Sequence, residues 1–207
     1  MLKILGKASS INVRKVLWTC VEIGLAPSLE PWGSGHRDTR VPEFLALNPN
    51  AMVPVMVDEG LVLWESNTIC RYLAASRGAT SLLPAAAGER ALVEQWMDWQ
   101  MAELNASWRY AFLSLVRGSA DHQNPELLAA GIAGWNRHME ILDARLSRTG
   151  AFVTGSQFTL ADIVLGLSTH RWFMTPMERP DLPAVAAYYE RLSGRSGFQL
   201  HGRNGIP

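Results

Sequence analysis

Two short stretches carry the residues whose types and spacing could do chemistry: Asn48-Pro49-Asn50-Ala51-Met52-Val53-Pro54-Val55-Met56-Val57-Asp58 and, shortly after, Trp64-Glu65-Ser66-Asn67. A proline that leads an apolar run cannot donate to a sheet ladder, so Pro54 belongs at a strand start or edge, with a tight, cis-compatible Val53-Pro54 bond. Such a turn leaves the Val53 N–H and C=O free to pair with an extended peptide, in the manner of an added strand. Glu65 and Ser66 stand at the end of a second short apolar run, just before a helical pattern. They offer a carboxylate for an ammonium group and a helix N-terminus for a carboxylate. Together these groups predict a site for a small peptide.

Other reactive residues carry less. Cys20 and Cys70 are the only cysteines, both inside apolar helical patterns without a Cys-x-x-Cys spacing, and are expected as buried free thiols. Five scattered histidines without a His-Glu-x-x-His pattern predict no metal. Gly33-Ser34-Gly35 lacks the strand-to-helix frame of a nucleophile elbow.

The elements that must position the site follow from periodicity. Leu2 to Leu5 reads as a strand. Ser9 or Ser10 then caps a helix with apolar positions at Val13, Val16, Leu17, Cys20 and Val21, stopped by Gly24 and Pro27. A second strand is expected over 28–32, a Gly-rich loop over 33–40 and a short helix over 42–47. Strands at 55–57 and 61–64 flank an Asp58-Glu59-Gly60 turn, and a helix runs from Ser66 to Ser76. The order is βαβαββα, a unit over residues 1–79. Residues 80–88, with Pro84 and several alanines, read as a linker into an all-helical domain over 87–207. In it, Met97, Met101, Leu104, Trp108, Phe112 and Leu115 form one stripe, and Leu128, Ile132, Trp135, Met139, Leu142 and Leu146 another. Trp96 and Trp99 are expected in the core. Phe158-Thr159-Leu160-Ala161-Asp162-Ile163 is a helix-start signature, with Thr159 and Asp162 capping reciprocally and Phe158 stapled to Ile163. A last helix is expected over 183–192, and 197–207 reads as a loose tail.

Composition sets the class. The chain has 207 residues, 48% of them hydrophobic and 18% charged, with nineteen basic and nineteen acidic side chains and no basic run. Neither nucleic acid nor an anionic membrane is predicted as a partner, and no apolar run reaches the roughly 18 residues of a spanning helix. With no signal peptide recognised, the cytoplasm is the expected location.

Four local pieces in this order and spacing, Ser9-Ser10-Ile11-Asn12-Val13-Arg14-Lys15, the Val53-Pro54 stretch, Glu65-Ser66-Asn67 and the 158–163 helix start, resemble the cytosolic glutathione S-transferases, in particular bacterial serine-type, theta-like members. Pro180-Asp181-Leu182-Pro183 before the last helix is similar to bacterial members too. The resemblance implies an α/β plus all-α architecture: a thioredoxin-like N-terminal domain holding glutathione and a helical C-terminal domain supplying most of an electrophile pocket. It implies that Val53 pairs with the cysteinyl part of glutathione and that Glu65 and Ser66 hold the γ-glutamyl end. Met52 is counted with them, although members of the family often have a basic residue there. The glycyl carboxylate would take a donor from His36, Arg37 or Arg40.

Where thioredoxins carry a reactive cysteine, this chain reads Ser10-Ile11-Asn12-Val13, which excludes dithiol chemistry at that position. The resemblance instead implies a hydroxyl donating to the sulfur of glutathione, with Ser10 chosen and Ser9 and Asn12 as neighbouring candidates. Ser9-Ser10 with Arg14 is also similar to the maleylacetoacetate isomerase branch, but Ile11 and Asn12 replace the cysteine and serine usual there. Trp108, Arg109, Phe112 and Trp172 are the candidates to line the pocket for a small apolar electrophile. A homodimer without metal is implied, acting as a transferase or in peroxide reduction. The alternative is a non-catalytic interaction protein on the same scaffold, like the bacterial stringent-starvation protein.

Overall fold

The structure, a computed structural model, describes residues 1–207. The chain begins with β1 (Lys3–Leu5), α1 (Ile11–Glu22), β2 (Ser28–Glu30), α2 (Pro42–Leu45), β3 (Val55–Asp58), β4 (Leu61–Trp64) and α3 (Ser66–Ser76), the expected βαβαββα order. The sheet runs β2-β1-β3-β4, with β1 parallel to β2 and β3 antiparallel to both its neighbours.

Strand alternation divides the apolar residues between two layers. Ile4 lies opposite Met56, and both face the main core with Val13, Val16, Leu73 and Cys70 of α1 and α3. Leu5 lies opposite Val55, and these point the other way, into a small separate core closed by Trp32 and Phe44. The β3–β4 turn is made by Glu59 (φ 50°) and Gly60 (φ 93°), the left-handed pair that a two-residue hairpin needs.

The helical part comprises α4 (Ala87–Trp99), α5 (Asn105–Leu115), α6 (Pro125–Thr149), α7 (Leu160–Met174), α8 (Pro183–Ser193) and α9 (Ser196–His201). The linker expected over 80–88 is docked, not free: Leu82 and Leu83 are buried, and Leu82 accepts from Leu160 N–H at 3.0 Å. The first long apolar stripe is not one uniform α-helix. A π-helical turn at Gln100–Leu104 joins α4 to α5, a device often found beside functional sites. The second stripe is α6, whose Asn124 side chain caps Glu126 and Leu127 N–H and whose end is turned by Gly150 at φ 75°.

Helix α7 is buried nearly all round, and the expected Thr159–Asp162 capping box forms at its start. Asp162 Oδ2 accepts from Thr159 N–H at 2.8 Å and Thr159 Oγ1 at 3.1 Å, while Oδ1 accepts from Val153 N–H at 2.9 Å and Tyr188 OH at 3.2 Å. Phe158 packs on Trp18 and Phe152 at ring distances of 5.8 and 5.6 Å.

The loose tail is corrected. Residues 196–201 form α9, which packs Phe198 against Trp18 at 5.1 Å and Tyr189 at 5.4 Å. Beyond it, the buried Arg14 guanidinium donates to Ile206 O at 2.7 Å and to Pro207 O and Asn204 Oδ1 at 3.2 Å. His170 makes the second anchor. Burial pushes its imidazole down to about 4, so the ring is neutral near pH 7 and can take Tyr189 OH on Nδ1 at 2.8 Å while Nε2 donates to Ile206 O at 3.1 Å. Gly197 permits the close seat of α9, since a Cβ there would lie 2.2 Å from Trp18 Cδ1. Gly197→Ala is therefore expected to destabilise by about 1–3 kcal/mol through overpacking against a rigid ring. A lowered urea midpoint at unchanged m-value would register this; an unchanged midpoint would mean that α9 is readily displaced.

Candidate active site

Most of the residues singled out in the sequence, Ser10, Asn12, Met52, Val53, Glu65, Ser66, Trp108, Arg109 and Phe112, line a cleft between the sheet unit and α5. The Val53–Pro54 peptide is cis, and the β3 ladder begins only at Val55. Val53 N–H and C=O make no hydrogen bond within the chain. Asn48, itself buried, fixes the approach by donating from Nδ2 to Met52 O at 2.8 Å and accepting Asn50 N–H at 3.0 Å.

Opposite this edge stands the start of α3. Glu65 precedes the helix at φ 71°, a left-handed conformation for a residue with a Cβ, at a strain of order 1–3 kcal/mol. Ser66 follows, and its Oγ is buried without any hydrogen-bond partner. A buried hydroxyl left unpaired at a helix N-terminus is a ligand-seeking group. A cavity of about 120 Å³ lies among Asn12, Asn48, Asn50, Met52, Val53, Pro54, Glu65 and Ser66.

A second compartment of about 280 Å³ is lined by Lys7, Ser10, Asn12, Gly33, Ser34, Thr39 and the 51–53 segment. Ser10 occupies the N-cap position of α1 with an extended backbone (φ −77°, ψ 125°), yet its side chain makes no capping hydrogen bond. Its hydroxyl is thus free. Ser9 is not among the lining residues of any compartment, whereas Asn12 lines this one, the previous one and the next.

The third compartment, about 510 Å³, has mostly apolar walls from Ile11, Met52, Met101, Ala102, Ala106, Trp108, Phe112 and Leu113, with Asn12, Asn105 and Arg109 as its polar groups. Of the four aromatic and basic candidates, Trp108, Arg109 and Phe112 are here. Trp172 is not: it is 1% exposed, packed in the core, with Nε1 donating to Asn136 Oδ1 at 2.9 Å. It sits on α7, the central helix, so its stripe is core. His36 is also corrected. The turn through Gly33 and Gly35, both at positive φ, closes with His36 N–H on Gly33 O; the His36 ring is exposed and lines none of the three compartments. Arg37 is spent on the Trp32 ring at 3.8 Å, and Arg40 lines none of the three compartments. The basic group that faces the second compartment is Lys7, whose Nζ reaches Ser34 O at 3.2 Å.

Sequence reasoning also missed a polar bridge beneath the cleft. Lys15, fully buried on α1, donates to Gln100 Oε1 at 2.8 Å and Asn67 Oδ1 at 3.3 Å. Gln100, at the start of the π turn, passes the chain to Asn105 Oδ1 at 2.9 Å and Ser168 Oγ at 3.0 Å, and Asn105 accepts Trp108 Nε1–H at 2.9 Å. The π turn brings Gln100 and Asn105, five residues apart, to one face. Burial lowers the Lys15 ammonium to about 8. The free thiols take no part: burial pushes Cys20 up to about 12 and Cys70 to about 11. No group of His, Cys, Asp and Glu side chains is arranged to hold a metal, and no helix is long and apolar enough to cross a membrane.

Comparisons with known proteins bear on this geometry. The family model for the N-terminal domain of glutathione S-transferase matches residues 9–76, and that for the C-terminal domain matches residues 125–191. Glutathione S-transferase GstB of Escherichia coli is 32% identical over 94% of each chain. Glutathione S-transferase 3 of Zea mays is 35% identical over 96% of this chain and 91% of its own. Among solved structures, the theta class glutathione S-transferase of Xanthomonas axonopodis pv. citri with glutathione bound is 37% identical, with a TM-score of 0.89 over 99% of this chain and 96% of that one.

Proposed function

This chain belongs to the glutathione S-transferase family, and from that premise we propose that its cleft binds glutathione and activates the thiol for attack on a small electrophile with an apolar body. One observation carries the reading: on the two sides of one cleft, the polar groups suited to a γ-glutamyl tripeptide are left unpaired. They are Val53 N–H and C=O, the buried Ser66 Oγ and the Ser10 hydroxyl. A protein with no ligand here would leave these groups unsatisfied.

Roles follow from chemistry. Val53 pairs with the cysteinyl backbone as an added strand. The Glu65 carboxylate takes the α-ammonium, and Ser66 Oγ with the α3 N-terminus takes the α-carboxylate. Lys7 and the 33–39 turn lie where the glycyl end would extend. Bound glutathione supplies the sulfur nucleophile. Ser10 donates to that sulfur at the N-terminus of α1, whose oriented N–H groups favour the anionic form. Lowering a thiol by about two units takes about 2.7 kcal/mol of preferential thiolate stabilisation. A charge-assisted hydrogen bond with a helix N-terminus is of that order. Trp108, Phe112, Met101 and Leu113 would hold the electrophile over the thiolate, and Arg109 and Met52 flank it. In this reading the domains divide as 1–79 and 87–207.

An ultraviolet difference titration of bound glutathione against pH tests the proposal. The thiolate band is expected to grow in well below the roughly 8.5 of a free thiol. With Glu65→Gln, the KM for glutathione is expected to rise by about 10- to 100-fold, with a smaller change in kcat, because a hydrogen bond to a charged group is lost from binding. No binding at millimolar glutathione would sink the enzyme and favour an interaction protein on the same scaffold.

A homodimer fits the exposed Leu61 and Trp64 on the edge strand β4 and the exposed Leu92 on α4, apolar surface that a second copy would cover. A monomeric mass by light scattering would remove this assignment. The cytoplasm suits a protein whose two cysteines remain free thiols.

A further inference from the structure

The walls of the largest compartment carry no acidic residue, and around it stand three arginines without an anionic partner. Arg109 lines the compartment directly and is exposed. Arg171 of α7 is 3% exposed, its guanidinium laid against the rings of Phe112 at 4.1 Å and Trp108 at 4.6 Å, two of the compartment's walls. Its Nε is sealed from solvent without a hydrogen bond. Arg117 covers Phe112 as well, at 5.3 Å. None of the three enters an ion pair, although arginines elsewhere in this chain do so repeatedly, as Arg71, Arg77, Arg195 and Arg203 show. The neighbouring Arg14 is committed to the oxygens of residues 204–207.

A buried guanidinium normally comes with a carboxylate, because an uncompensated charge away from water is costly. Cation–π contact offsets part of that cost and leaves the net charge in place. Burial, with Arg14 and Arg117 nearby, lowers Arg171 to about 9, so it remains cationic at neutral pH. Positive charge of this kind behind and beside aromatic walls is what an anionic group on a ring-bearing ligand would compensate.

We propose that the acceptor compartment selects an electrophile that carries a carboxylate on its apolar body, recognised by Arg109 at the wall and by the field of Arg117 and Arg171 behind the Trp108–Phe112 face. This rests on the transferase reading above. The transfer itself is ordinary displacement: the glutathione sulfur forms the C–S bond, the leaving group departs with the electron pair of its bond to carbon, and the thiol proton passes to solvent.

The test compares chlorodinitrobenzene with its ring-carboxylated analogue chlorodinitrobenzoate, from both of which chloride leaves. Each kcat/KM is divided by the uncatalysed rate constant with glutathione, to remove intrinsic reactivity. The carboxylate is expected to be preferred by about tenfold or more, the scale of one hydrogen bond to a charged group. The preference should fall toward unity in Arg109→Gln/Arg117→Gln and in Arg171→Met, and Arg171→Lys should retain part of it. The surface double variant keeps the test open if the buried one misfolds. Equal or reversed preference in the wild type, or a preference that survives these variants, overturns the proposal. Calorimetry without glutathione, comparing unreactive dinitrobenzoate with dinitrobenzene, separates the two readings. Preferential dinitrobenzoate binding with no thiolate in the glutathione titration would sink the transferase and keep the anion subsite; a normal thiolate without that binding preference would do the reverse.

Discussion

Ser10→Ala is expected to lower kcat/KM for conjugation by about 10- to 150-fold near neutral pH, the range set by losing one hydrogen bond to a charged group. The loss should come from the thiolate population: the titration of bound glutathione moves up by one to two units, and the deficit narrows as pH rises past the free thiol's value of about 8.5. Stability should scarcely change, because the Ser10 side chain caps nothing in α1. That pairing of a large kinetic effect with a small thermal one separates a sulfur donor from a helix cap, which on replacement costs about 1 kcal/mol. An unshifted titration would pass the role to Asn12, whose side chain borders all three compartments. Ser9, outside the lining residues, is expected to be silent.

Asp162→Ala should be the most destabilising single change away from the cleft, at about 3–5 kcal/mol, because it strands several buried donors at once. Val153 N–H, Thr159 N–H, Thr159 Oγ1 and Tyr188 OH all end on this carboxyl group. For a chain of this size that is a fall of roughly 10 °C in Tm. Asp162→Asn keeps one acceptor but turns an NH₂ toward a donor, so it should fall between wild type and alanine. The pH response carries a sign. Burial raises the Asp162 carboxyl to about 6 from an unfolded value near 3.8. Its folded-state pKa lies above the unfolded one, so its contribution is fully present below the unfolded value and is lost as pH rises through about 6. Wild-type stability measured relative to Asp162→Asn should thus decline between about pH 4 and 6. A difference flat across that window would mean that the four hydrogen bonds hold the group ionised despite its burial.

Much of the fold was legible because each element carried its own punctuation. Ser66 to Ser76 was readable to the residue, and the Glu59-Gly60 turn, the cis-compatible Val53-Pro54 pair and the Thr159–Asp162 helix start all announce themselves in local residue chemistry. What could not be read depended on distance in the chain. The π turn at Gln100–Leu104 leaves the spacing of Met97, Met101 and Leu104 intact, and its purpose, joining Lys15 to Asn105, lies in a helix eighty-odd residues away. The end of the chain looked free because α9 is six residues long and holds a glycine; its hold comes from Trp18, Arg14 and His170, none of which is near in sequence. Trp172 and Phe112 are both aromatic residues at helical spacing. Only the surroundings of their helices decide that one faces the core and the other the cleft. Lys7 was overlooked because a lone lysine after a strand has no pattern at all, while His36 attracted notice by type although it lines none of the compartments.

Asn12 and Met52 are common to all three compartments of the cleft. Most of the remaining wall of the largest compartment, Met101, Ala102, Asn105, Ala106, Trp108, Arg109, Phe112 and Leu113, comes from a single helical run. That division sets how the protein can evolve. Under the proposed function, substitutions at Ala102, Ala106, Arg109 or Leu113 would retune the largest compartment and leave the tripeptide side untouched, so lineages could diverge in acceptor preference one step at a time. A change at residue 12 or 52 is felt everywhere at once, which makes these two positions the hinge of its mutational history.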